Sequence, residues 1–196
     1  MTNTVRVSLS KDRRLGEGVF AQAGWILAFT AASALAARLE IPHEPVPYTL
    51  QTLIVLLAGA VLGPRNGAIS QLAYLAAGVL GAPVFAGGTF GLARLIGPTG
   101  GYLIAFPLAA AVVGFLALRR RNLLWSFVAM TSGLVVVFVT GTLHLYVFYL
   151  HNVSSAMTAG FLIFTWWDLL KLGAAAMIYN EIANRGRRVS EEGRSR

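Results

Sequence analysis

Apolar residues run along this chain in long blocks separated by turn signals. Each block can be measured against the ~20 residues that a helix needs to cross a ~30 Å hydrocarbon core. The first, Gly18 to Leu39, meets that length and ends at Ile41-Pro42-His43-Glu44-Pro45-Val46-Pro47. These prolines lack backbone donors and push the residues before them out of the α region, so an extended connection is expected. The second block, from about Thr49 to Leu62, is short for a full span. Gly63-Pro64-Arg65-Asn66-Gly67 is expected to be a tight turn, with a third block following to about Leu80. Residues 82–98 are rich in glycine yet apolar, and an unstructured loop of that length is usually functional. The fourth block, Thr99 to Leu118, stops at Arg119-Arg120-Arg121. The fifth, Leu123 to about Tyr149, is long enough to tilt in a bilayer. After His151-Asn-Val-Ser-Ser155, the sixth runs from about Ala156 to Ile182. The pattern predicts an all-α integral membrane protein with six transmembrane helices in residues 18–182, between tails at 1–17 and 183–196.

Composition agrees. Hydrophobic residues make up 56% of the 196 and charged residues only 12%, against about 25% charged in a soluble domain. Most of the charge lies at the two ends, six residues within 1–18 and eight within 181–196. Basic ends flanking apolar spans are an orientation signal, not a nucleic-acid surface, and no nucleic-acid partner is expected. With a cytoplasmic N-terminus, 13 of the 16 basic residues fall inside, which leaves Arg38 and Arg94 outside and Lys171 within a span. Both termini are therefore expected in the cytoplasm. The basic N-terminus and Ala34-Leu35-Ala36 loosely resemble a cleavable signal, but the apolar stretch exceeds the 7–15 residues of such a segment. It is expected to be retained as the first helix.

Candidate chemistry is sparse, which sharpens it. Cysteine is absent, no Gly-x-x-x-x-Gly-Lys-Ser/Thr phosphate loop occurs, and the three histidines are scattered. No cofactor, metal site or catalytic constellation is expected, and the chain is not expected to be an enzyme. What stands out is Asp168 and Lys171, three residues apart on one face of an apolar helix, about 5–6 Å between Cβ atoms. Ionisable groups inside a membrane cost several kcal/mol unless paired or wet, and they mark sites. Two uses fit: an internal ion pair tying helices together in a structural subunit of a membrane complex, or a ligand pair. Arg94, flanked by Leu92, Ala93, Leu95 and Ile96, either snorkels to the headgroups or turns toward a ligand. Together the three charges sum to +1, which suits a ligand carrying one carboxylate. Gln51, Gln71 and Tyr74 add polar reach from the second and third spans. Ala28, Ala32 and Ala36 form a small-residue stripe on the first span, suited to close packing within the subunit or to docking of a membrane partner.

Three motifs carry a resemblance. Pro45-Val-Pro-Tyr-Thr-Leu-Gln51, Gly97-Pro-Thr-Gly-Gly-Tyr102 with Phe106-Pro107, and Asp168-x-x-Lys171 together resemble the biotin transporter S-component family (BioY), over roughly Gly18 to Ile182. The resemblance implies a substrate-binding subunit of an energy-coupling-factor (ECF) transporter in a prokaryotic cytoplasmic membrane, six-helical and surrounded by lipid. It implies biotin held beneath the first, third and fifth loops, near the outer side. It also implies a transmembrane T-component and two ATPases as partners, with Ala28, Ala32 and Ala36 matching the docking face. Asp168 and Lys171 match the family's ligand pair. The implied roles are Asp168 on the ureido N–H groups and Lys171 with Arg94 on the carboxylate. Gln51, Thr52 and Tyr74 would line the ring pocket.

Overall fold

The computed structural model describes residues 18–120, 122–162 and 166–192. The expected tail at 1–17 and the last four residues, 193–196, lie outside them. α1 (Val19–Arg38) is followed by a two-stranded hairpin, β1 (Glu40–Ile41) and β2 (Tyr48–Thr49), paired antiparallel with Glu40 opposite Thr49. The proline-rich segment expected to be extended forms the turn of this hairpin.

α2 (Gln51–Val79) is helical at both ends but breaks at Gly63, where φ is 81° and ψ is 176°. Only glycine reaches such a conformation without steric cost, and Pro64 behind it suits the first position of a new helix. The break is a reversal. Gln51 Nε2 lies 2.6 Å from Tyr74 Oη, whereas in one straight helix those residues would stand about 35 Å apart at 1.5 Å per residue. The two limbs, 51–62 and 64–79, are thus an antiparallel helical hairpin with its tip at the expected turn.

The long segment 82–98 is more ordered than a bare loop. It holds a 3₁₀ turn at Ala86–Gly88 and a short helix, α3 (Leu92–Ile96), which carries Arg94. α4 (Gly100–Ala117) and α5 (Leu123–Leu145) follow, and α5 continues as a π turn over Tyr146–Leu150. The expected sixth span does not start as one helix at Ala156. α6 (Val153–Ala156) and a π turn (Met157–Phe161) come first, and α7 (Trp166–Glu192) then places Asp168 in its opening turn. α7 also runs past the expected boundary at Ile182, because the backbone hydrogen-bond pattern continues wherever nothing breaks it.

Among the described residues, the stretches 19–38, 100–117 and 123–150 are each long and apolar enough to cross a membrane, while 51–79 has that length and apolar character only as its two limbs taken together. Their outward faces are as apolar as their inward ones. On α4, Ile104, Leu108 and Phe115 point outward while Ala105, Ala109, Ala110 and Val113 are buried. A helix apolar all round belongs in lipid or in a large core, and lipid-facing side chains explain such exposure. Inside, small residues set the spacing between helices. A Cβ at Gly59 would run into the Ala110 carbonyl oxygen, and one at Gly114 would stand 2.5 Å from Pro64 N. The α2 hairpin and α4 therefore touch backbone to backbone. Gly59→Ala is expected to lower the melting temperature of the purified protein, since overpacking costs about 1–3 kcal/mol. Gly24→Ala, where nothing lies within 4 Å of the new methyl, should leave it unchanged or raised.

Candidate functional site

The hairpin and α3 meet the starts of α2, α4 and α7 and the far end of α5 at one end of the bundle, around a cleft. It encloses about 650 Å³ of atom-free space, part of it open to solvent. Val46, Leu103, Phe106, Val137 and Phe138 supply apolar walls. The polar groups on it are Gln51, Thr52, Thr99, Arg94, Asp168 and Lys171, together with hairpin and α4 residues.

Asp168 and Lys171 stand one turn apart on α7, and the turn brings Lys171 Nζ to 2.7 Å from Asp168 Oδ1. Their side chains are 4% and 6% exposed. Removing two ions from water costs several kcal/mol each, which their attraction offsets only with good geometry and further hydrogen bonds. Lys171 Nζ has such a bond, donating to the Thr49 carbonyl at 3.0 Å. Asp168 lies at the N-terminal end of α7, where the helix dipole favours negative charge. The pair thus ties α7 to the hairpin and also faces the cleft.

Gln51 is buried beside the pair's anchor. Its Oε1 accepts from Thr49 Oγ1 at 3.2 Å, and its Nε2 donates to Tyr74 Oη at 2.6 Å. Tyr74 is fully buried, donates to the Val84 carbonyl at 3.3 Å, and packs edge-on to Phe85 with ring centroids 5.6 Å apart. It was expected to line the ring pocket. It instead stands behind Gln51 as a strut, because its hydroxyl is consumed by that glutamine and by the loop carbonyl. Gln71 is further away in kind: it accepts from Ser33 Oγ at 3.1 Å and joins α1 to the second limb of α2.

Thr52 lines the cleft, and so does Thr99, which sequence reasoning passed over although it lies within Gly97-Pro-Thr-Gly-Gly-Tyr102. Both hydroxyls are buried without a hydrogen-bond partner among the described residues. An unsatisfied buried hydroxyl costs about 1–3 kcal/mol, so each is a group awaiting a partner. No motif signals this; only the packing reveals it. Arg94, half-buried on α3, also borders the cleft and makes neither a hydrogen bond nor an ion pair among the described residues. An always-charged guanidinium free to bind beside a neutral ion pair makes the cleft net positive.

The alanine stripe divides. Ala28 is exposed, Ala32 half-buried and Ala36 only 6% exposed. Each four-residue step turns the helix about 40° beyond a full revolution, so Ala36 rotates into the bundle and cannot share an outer face with Ala28.

Residues 8–188 match the BioY family. This chain belongs to it. Among its relatives, the biotin transporter BioY of Thermotoga maritima is 41% identical over 76% of this chain and 88% of its own length. The probable biotin transporter BioY of Pyrococcus horikoshii is 39% identical over the same shares. The fold is similar to a solved S-component for biotin from an ECF-type ABC transporter, with a TM-score of 0.76 and 28% identity over 83% of this chain and 90% of that one.

Proposed function

We propose that this BioY protein is the biotin-binding S-component of an ECF transporter in a prokaryotic cytoplasmic membrane. Six helical segments (19–38, the two limbs of α2, α4, α5 and α7) would form the membrane part, with both termini inside. The observation that carries this reading is the cleft itself: a buried carboxylate–ammonium pair between apolar walls, with two hydroxyls and a guanidinium that have no partner among the described residues. Biotin offers a ureido ring with two N–H donors and one carbonyl, an apolar sulfur ring and chain, and one carboxylate at the opposite end.

The 2.7 Å separation of the pair supports a division of labour different from the one the resemblance implies. Asp168 and Lys171 reach the same end of any ligand. Asp168 would accept from the ureido N–H groups while Lys171 donates to the ureido carbonyl. The carboxylate at the other end falls to Arg94 alone. Thr52 and Thr99 hydroxyls would complete the polar contacts, and Gln51, oriented by Tyr74, would border the ring.

Thr99→Val, which keeps the shape and removes the hydroxyl, should weaken biotin about 3- to 10-fold, in line with one hydrogen bond. Competition of labelled biotin on the purified protein measures it, and an unchanged affinity removes Thr99 from the contacts. Transport would require a T-component and two ATPases, with the exposed Ala28 end of α1 offering them a small-residue surface. Cells unable to make biotin, given this chain with such a module, should grow on trace biotin. Growth independent of this chain would contradict the assignment. The reading of Asp168–Lys171 as only an internal tie in a structural subunit gives no reason for Arg94 and the two orphan hydroxyls to share one cleft.

A further inference from the structure

α3 is too short to hold itself in place. It has five residues, none of them fully buried, and only Leu95 of its side chains packs on the core. A helix of that length has no stability of its own, so its position is set by what grips it. It also ends with carbonyls that the helix cannot satisfy. Two side chains from the end of α5 hold the last of these and the carbonyl just beyond it. Tyr149 Oη donates to the Ile96 carbonyl at 2.6 Å, and His144 Nε2 lies 3.1 Å from the Gly97 carbonyl. A carbonyl only accepts, so Nε2 carries the proton there. The two rings also contact each other, centroids 5.9 Å apart, and His144 packs on Phe148 at 4.9 Å. They form one aromatic brace reaching 47 and 53 residues back along the chain.

Neither His144 nor Tyr149 lines the cleft. What they hold is the segment bearing Arg94, two residues before Ile96. We propose that Tyr149 and His144 are positioning residues for Arg94: by gripping the Ile96 carbonyl at the end of α3 and the Gly97 carbonyl just beyond it they fix the guanidinium where the carboxylate of a bound ligand lies. This rests on the reading of Arg94 as the carboxylate's partner. The brace gives the cleft preference for an acid over a neutral analogue without touching the ligand, because only the carboxylate end senses where α3 sits.

The test compares biotin with biotin methyl ester, which keeps the rings and chain and lacks the charge, on the purified full-length chain in detergent. Tyr149→Phe and His144→Ala should each weaken biotin about 3- to 10-fold, the loss of one hydrogen bond's worth of fixation, and leave the ester unchanged. His144→Gln, which retains an N–H donor, should recover most of the affinity. In an Arg94→Ala background neither substitution should cost anything further, since the coupling runs through that side chain. Equal losses for both ligands, or losses that persist without Arg94, would show a general packing role and overturn the proposal. So would unchanged biotin affinity in Tyr149→Phe and His144→Ala while Arg94→Ala is impaired. If Arg94→Ala itself binds biotin normally, the assignment of Arg94 to the carboxylate falls, and the brace with it.

Discussion

Asp168→Asn should cost this protein about 30-fold to several-thousand-fold in biotin affinity while leaving it folded. The carboxylate is 4% exposed and 2.7 Å from Lys171 Nζ, so a ligand N–H meets it away from water. Truncating one member of a desolvated, hydrogen-bonded charge pair typically costs about 2–5 kcal/mol. Asparagine keeps the shape and one acceptor oxygen but loses the charge, and it leaves the Lys171 ammonium without its counter-ion. Some loss of stability is expected for that reason, and a second variant separates it from loss of recognition. Asp168→Asn with Lys171→Met removes the stranded charge and should restore the melting temperature, since apolar replacement of a buried pair is often neutral or better. It should not restore binding. Recovery of both in the double variant would identify the pair as a structural tie and nothing more.

Arg94→Ala is the second large effect. Its guanidinium borders the cleft with no ion pair or hydrogen bond among the described residues, so its removal breaks no such contact there. A charge-assisted hydrogen bond to a carboxylate is worth about 1.5–3 kcal/mol, or roughly 10- to 150-fold in affinity. Half-burial places the effect toward the lower part of that range, because water screens an exposed charge. Biotin methyl ester should bind the variant and the parent alike, and the melting temperature should not change. An equal loss for acid and ester would place Arg94 elsewhere than at the carboxylate.

How much of this was legible beforehand depends on whether the signal is local. The reversal at Gly63-Pro64 is local chemistry: one residue with φ of 81° followed by a residue suited to start a helix. Asp168 and Lys171 are likewise joined by helix spacing alone. Arg94 could be singled out for its apolar neighbours, but its short helix could not, since contacts 47 and 53 residues away hold it. Tyr74 was misplaced for a related reason. Its spacing brings it to Gln51, yet only the packed structure shows that its hydroxyl faces Gln51 and Val84 and turns away from the cleft. Thr99 carried no signal at all, because an unpartnered hydroxyl is a property of everything around it.

Whether this chain alone recognises biotin is decided by equilibrium binding of tritiated biotin to the purified protein, without partner subunits. Binding should be saturable, one-to-one and nanomolar, displaced by unlabelled biotin, and weaker by about 30-fold or more in Asp168→Asn. Absence of saturable binding to the folded protein at micromolar biotin would contradict the biotin-binding reading.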